Sequence, residues 1–283
     1  MDKIFYIPQE IDTPPTIELY PPIGLRYLYT RSSDSRQWDA AGQDFLIFRR
    51  YQNHFSFALC DGVSQSFMGD LAARSLGYAL IQWLDQITLS QPLESVANEL
   101  TVFLTDLAHE THPSIQNFTL PSELPPMLID ALEAKREKGS ESVFICGMLA
   151  LPSTLIPYGC LLLAWMGDSR FRFWGANHER TSELGDSFHT EQRWSSKKGP
   201  VNGEPHIFMT PLENDKHERT VLRCLTYSDG LASLDDIEEP LSSLLLSHTI
   251  HQGLNSAQSD DMSYLEIWLD GIPPYLKPSA VSD

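Results

Sequence analysis

Phe55-Ser56-Phe57-Ala58-Leu59-Cys60-Asp61-Gly62 is the stretch that decides the reading of this chain. Phe55, Phe57 and Leu59 alternate with smaller residues at a period of two, the spacing of a strand with one face in a core. The run stops on Asp61, and Gly62 follows. Upstream, Asp44-Phe45-Leu46-Ile47-Phe48-Arg49-Arg50-Tyr51 reads as a second strand, and Gln52-Asn53-His54 between the two predicts a hairpin. Asp44 begins the first strand and Asp61 ends the second.

Other aspartates take similar places. Asp168 lies in a Gly167-Asp168-Ser169-Arg170 turn that reads as a second hairpin after the apolar run 160–166. Asp229 follows Leu225-Thr226-Tyr227-Ser228 and precedes Gly230; Asp260 and Asp261 immediately precede the last strand. Any one of them is an ordinary turn residue, because an aspartate side chain bonds nearby backbone N–H groups. The set carries more. If these strands share one sheet system, several carboxylates converge at one edge. Two bare carboxylates ~4 Å apart repel by about 4 kcal/mol at an effective dielectric near 20. Three or four together raise one another's pKa or recruit cations. Hard divalent ions such as Mg²⁺ and Mn²⁺ suit oxygen ligands, and glycines beside the aspartates let backbone come close.

Between the strand blocks the period changes to that of helices. Leu71, Leu76, Leu80, Trp83, Leu84 and Ile87 mark one helix over 69–89. Val96, Leu100, Phe103, Leu104 and Leu107 mark a second over 93–109, and a third runs over 126–138 and stops before Gly139. Residues 111–125, with Pro113, Pro121 and Pro125, read as a loop. The runs 142–151, 160–166 and 171–174 return to strand character, 175–220 is a polar loop apart from Ile207-Phe208-Met209, and 220–227, 240–253 and 264–269 read as strand, helix and strand. Strands, helices, strands, helix, strand is the order of an α+β protein. Residues 1–30, rich in proline, read as an irregular arm with room for an edge strand at its end.

The charge sum, 20 − 38 = −18, repels polyanions, so nucleic acid and anionic membrane are poor partners. The apolar runs are far short of the ~20 residues that span a bilayer, and Met1 to Glu10 lacks the basic and apolar regions of a secretion signal. Cys60, Cys146, Cys160 and Cys224 form no C-x-x-C pair and lie in strand-like segments. They read as buried free thiols of a cytoplasmic protein rather than a disulfide or zinc framework.

Gly42-Gln43-Asp44, Leu59-Cys60-Asp61-Gly62-Val63, Gly167-Asp168-Ser169-Arg170, Tyr227-Ser228-Asp229-Gly230-Leu231 and Asp260-Asp261-Met262-Ser263 occur in this order. Together they resemble the motifs of the PP2C (PPM) metal-dependent serine/threonine protein phosphatases, particularly bacterial members. The resemblance spans 42–269, about four-fifths of the chain. It implies a four-layer α-β-β-α sandwich: two packed antiparallel sheets flanked by helices, as a single domain over 1–283 with a C-terminal tail over 270–283. It implies two Mn²⁺ or Mg²⁺ ions, with Asp61 bridging them, Asp229 and Asp260 completing the first metal's ligands and the Gly62 carbonyl binding the second. Asp44 would hold a metal-bound water, so Asp44 and Asp61 are the catalytic candidates, and Asp168 matches a position linked to a weaker third metal. The implied activity is hydrolysis of phosphoserine and phosphothreonine by a metal-activated water, without a covalent enzyme intermediate. The implied partners are a phosphorylated protein substrate and, as a further candidate, a cognate Ser/Thr kinase.

The chain departs from the family pattern in several places. Ser64-Gln65-Ser66-Phe67-Met68 replaces a Gly- and His-rich stretch. Asp39 stands where an arginine often binds substrate phosphate, leaving Arg31 or Arg36 as substitutes. Ser233 replaces an aspartate that assists the third metal, with Asp235 and Asp236 nearby, and Asp261 replaces an asparagine. Lys197, Lys198 and Arg193 fall where relatives carry a variable flap. These departures keep open an alternative: a weak or inactive pseudophosphatase that acts as a phosphoprotein-binding regulatory module. A metal-dependent nuclease is disfavoured by the charge.

Overall fold

The computed structural model describes residues 3–122, 124–176, 178–189, 191–237, 241–256, 258–271 and 273–276. Its elements are β1 (Lys3–Tyr6), β2 (Thr13–Tyr20), β3 (Ile23–Thr30), α1 (Ser33–Gln37), β4 (Phe45–Tyr51), β5 (His54–Gly62), α2 (Gly69–Gln86), α3 (Leu93–Gln116) and α4 (Pro126–Arg136). These are followed by β6 (Glu141–Ala150), β7 (Cys160–Met166), β8 (Arg170–Trp174), β9 (Arg193–Ser195), β10 (Gly199–Val201), β11 (His206–Thr210), β12 (Arg223–Tyr227), α5 (Ser243–Leu254) and β13 (Met262–Leu269).

The strands make two antiparallel sheets. One runs β1-β4-β5-β6-β7-β11, with the β9–β10 ribbon attached to β6; the other runs β2-β3-β13-β12-β8. Strand alternation sorts the side chains into three cores. Phe55, Phe57 and Leu59 point between the sheets, against Phe171, Phe173 and Leu265. The intervening Ala58 and Cys60 face outward with Phe144 and Cys146, under Leu76 and Leu80 of α2 and Leu100 and Leu104 of α3. On the outer face of the second sheet, Leu225, Tyr227 and Tyr264 pack on Leu246 of α5. The result is an α+β sandwich of two sheets flanked by helices. All four cysteines are free and buried. Among the described residues, no helix is long and apolar enough to cross a membrane.

The structure corrects four readings. Residues 3–30 carry three strands rather than an irregular arm, and β3 is interior to its sheet, between β2 and β13. Prolines hide this pattern. Pro14 and Pro15 sit in β2, an edge strand whose pairing shifts between Thr13 and Thr16, where a missing N–H is tolerated. The 167–169 turn does not close a hairpin: β7 pairs with β6 and β11, while β8 pairs with β12, so the chain crosses between sheets there. Helix α3 continues through Pro113 to Gln116, held by buried Ile115. The polar stretch after 175 contains β9 and β10 as well as the expected β11. The expected tail over 270–283 lies mostly outside the described residues.

Candidate metal centre

Register brings the motif aspartates together. Phe45 pairs with Cys60, which sets Asp44 beside Asp61 at one end of the first sheet. Asp61 and Gly62 pair with Val143 and Ser142 of β6. In the second sheet Tyr227 pairs with both Tyr264 and Arg170, which sets Asp229, Asp168 and Asp260 at one end of their strands. Asp61, Gly62, Asp168, Asp229 and Asp260 line a single cleft of about 240 Å³ with Val63, Ser64, Gln65 and Val143. Asp44 is not on its wall. It is 1% exposed and lies behind Asp61.

The Asp-Gly pairs have a steric reason. A Cβ on Gly62 would overlap the backbone of Gly69, where α2 begins, and a Cβ on Gly230 would overlap the Asp261 carbonyl oxygen. Hydrogen bonds lock the surrounding loops. Ser142 Oγ donates to the Asp61 carbonyl at 2.8 Å, and Gly62 N donates to the Gln43 carbonyl at 3.2 Å. Ser228 N donates to the Ser263 carbonyl at 3.1 Å, while Ser263 N donates to Ser228 Oγ at 2.9 Å. Asp261 accepts from Ser32 N at 2.6 Å and from Gln43 N. It therefore ties the start of β13 to the loop that carries Asp44.

The electrostatics are those of crowded carboxylates. Burial raises Asp61 well above the usual carboxylate range, and the charges of Asp44, Asp229, Asp260 and Asp168 raise it further. Burial likewise raises Asp44, with Asp261 adding to it; the Ser228 and Ser263 hydroxyls ease the charge without bonding to it. Asp229 is pushed up to about 6 by burial and by Asp260 and Asp168, with Asp61 and Arg170 pulling it back. Both carboxylate oxygens of Asp44 and Oδ1 of Asp229 are buried without a hydrogen-bond partner. Burial pushes the neighbouring Cys60 thiol well up, which removes it as a nucleophile.

This donor set suits a hard divalent cation: oxygen ligands in like-charge excess, two of them with orphaned oxygens. Among the described residues, no group of three or more His, Cys, Asp or Glu side chains is arranged to hold an ion. Of the other expected site residues, Arg31 is held by Asp12 at 3.2 Å and Asp39 at 3.6 Å, and Arg36 by Asp12 at 3.2 Å. Neither lines the cleft. Asp235 is bound to Tyr227 Oη at 2.5 Å and Arg170 Nε at 3.2 Å, and Asp236 is exposed. Trp165 packs between the sheets, and Trp174 packs on the outer face of the second sheet, under the Arg223 guanidinium. The sequence reading did not find the Ser228–Ser263 clamp or the Asp261 tie, which join residues far apart in the chain.

No known family profile matches the chain, and no curated protein does. Solved structures do. A bacterial serine phosphatase superposes with a TM-score of 0.55 at 14% identity, covering 88% of this chain and 98% of its own. The serine/threonine phosphatase Stp1 from Staphylococcus aureus gives 0.55 at 14% identity over 92% and 98%. The fold is that of the PP2C phosphatases. A serine-threonine phosphatase 2C from Toxoplasma gondii, at 0.51 and 11% identity over 94% and 99%, extends the PP2C likeness to a eukaryotic protein. Because the chain crosses between sheets at Asp168, each sheet contributes carboxylates to the same end of the sandwich.

Proposed function

We propose that the chain is a divalent-metal-dependent phosphatase of phosphoserine and phosphothreonine in proteins, built as one PP2C-like domain. The observation that supports it most is the single cleft lined by Asp61, Asp168, Asp229 and Asp260, backed by buried Asp44. Asp61, Asp229, Asp260 and the Gly62 carbonyl would hold two Mn²⁺ or Mg²⁺ ions, with Asp168 toward a weaker third. Bound ions supply a water of lowered pKa and offset charge on phosphoryl oxygens. The chain's own groups do the rest. Asp61, at the end of β5, brings the first sheet's carboxylate to the cleft that Asp168, Asp229 and Asp260 of the second sheet's loops also line. Asp44, buried one layer behind Asp61 and off the cleft wall, would steady the attacking water from the outer shell, through an intervening group, rather than by direct contact. Gln65 and Ser64 on the rim offer hydrogen bonds to the phosphorylated side chain. Among the described residues that line the cleft there is no histidine, and water would supply the proton to the leaving oxygen. A phosphorylated protein as substrate, a Ser/Thr kinase that opposes the reaction and a cytoplasmic setting for the four thiols complete the proposal.

A pseudophosphatase is the second reading. It is favoured by the engagement of Arg31 and Arg36 with Asp12, which leaves neither on the cleft to dock a phosphate. Phosphate release from a phosphoserine peptide in Mn²⁺ separates the two. The enzyme reading expects turnover that is lost in Asp229→Asn; turnover in neither protein, with intact peptide binding in both, favours the module.

A further inference from the structure

Beside the acidic cleft lies a second pocket of opposite character, about 480 Å³ in volume. Val63 and Gln65 line both, so the segment after Asp61-Gly62 is the wall between them. The far side carries Lys138, Arg193, Lys197 and Lys198, four cations against the two acidic residues Glu137 and Glu141. Four of the chain's seven lysines gather here (Lys135, Lys138, Lys197 and Lys198), in a protein of net charge −18.

The pocket is built rather than loose. Its lysines come from the turn after α4 and the turn between β9 and β10, and these two segments are stitched together. Ser196 N donates to the Ser140 carbonyl at 2.8 Å, and Ser140 N donates to Ser196 Oγ at 2.9 Å, with both serines fully buried. Lys197 Nζ donates to the Glu137 carbonyl at 2.6 Å, and Lys135 Nζ to the Ser64 carbonyl at 3.0 Å. Gly139 and Gly199 hold positive φ of 96° and 74°, where the two turns reverse. Arg193 is already neutralised by Glu141 at 2.6 Å. Lys138 and Lys198 have no ion-pair partner among the described residues, and both are exposed. The fold thus presents two unpaired ammonium groups on a fixed frame, one wall away from the candidate reaction site.

We propose that this pocket is the subsite for an anionic side chain flanking the phosphorylated residue of a substrate protein. The inference rests on the phosphoprotein reading above and adds a sequence preference to it. A carboxylate or a second phosphate near the phosphoserine would meet Lys138 and Lys198 while the reacting phosphate enters the acidic cleft. The overall negative charge repels such acidic segments elsewhere on the surface, so the patch also fixes the direction in which the peptide lies.

The test uses fluorescence anisotropy in Mn²⁺ with labelled peptides that carry a non-hydrolysable phosphonate in place of phosphoserine. One peptide has flanking glutamates, one a flanking phosphothreonine and one flanking alanines. The wild-type protein is expected to bind each acidic peptide about tenfold more tightly than the alanine peptide. The Lys138→Ala/Lys198→Ala variant should lose that preference and hold the alanine peptide as before. A preference for only one acidic peptide still supports the subsite and names its anion. Equal wild-type affinities, or a preference that survives in the variant, would overturn the proposal. An equal loss for all peptides would also overturn it, because the lysines would then dock the reacting phosphate. Binding needs no turnover. An inactive protein with the lysine-dependent preference sinks the phosphatase reading alone, and an active one without it sinks the subsite alone.

Discussion

Asp229→Asn should stabilise the metal-free protein while abolishing its response to metal. The Asp229 carboxyl is held at about 6 instead of its ordinary 3.8, through burial and the charges of Asp260 and Asp168. That difference corresponds to about 3 kcal/mol. Its sign follows from linkage. The folded chain holds a proton more tightly than the unfolded one. The wild type therefore carries no penalty below about pH 4, loses stability as pH rises through about 6, and bears the full burden at pH 8. Asparagine removes the charge at nearly constant shape, and Oδ1 of Asp229 has no hydrogen bond to lose. In chelator at pH 8 the variant should melt about 6 °C above the wild type, given about 2 °C per kcal/mol for a chain of 283 residues. At pH 3.5 the two should melt together. Mn²⁺ at about a hundred times its dissociation constant should then raise the wild type by about 2.7 kcal/mol and leave the variant unmoved. Calorimetric melts in chelator and in Mn²⁺ read all of this. A variant less stable than the wild type in chelator at pH 8, or an equal Mn²⁺ response in both, would refute the reasoning.

Three further substitutions probe the frame. Asp261→Ala strips the acceptor from Ser32 N and Gln43 N and should cost about 2–4 kcal/mol in urea unfolding, with Asp261→Asn recovering part of it. Glu266→Ala leaves the buried Arg26 and Arg223 without their shared carboxylate, which sits 2.7 Å and 2.5 Å from them, and should cost about 3–5 kcal/mol by the same measurement. Gly62→Ala forces a Cβ into the Gly69 backbone and should lower stability by about 1–3 kcal/mol and weaken Mn²⁺ uptake together; a neutral result would mean that β5 and α2 are not pressed together there.

Much of this fold was legible locally. The alternation of Phe55, Phe57 and Leu59, the helical spacing of Leu76 and Leu80, and the Asp-Gly pairs at strand ends are short-range patterns, and each marks the element it suggests. The failures have a common cause in information that is not local. A three-residue turn such as 167–169 looks the same whether its strands pair or part company, and only the partners of β7 and β8 decide. The prolines of β2 read as a breaker until β3 supplies a neighbour on one side and leaves the other edge open. The Asp261–Ser32 bond joins residues 229 apart in sequence, and no spacing rule reaches that far. The lysine pocket was visible only as scattered charges, because the turn at 139 and the turn at 197–198 meet through serine hydrogen bonds between β6 and β9.

The most direct measurement is an isothermal titration of Mn²⁺ into the chelator-stripped protein at neutral pH, repeated with Asp61→Asn. Saturable uptake of two ions per chain by the wild type, reduced to one or none in the variant, is the expected result. No heat beyond dilution, or identical isotherms for the two proteins, would contradict the claim that these strand-end aspartates form a metal centre.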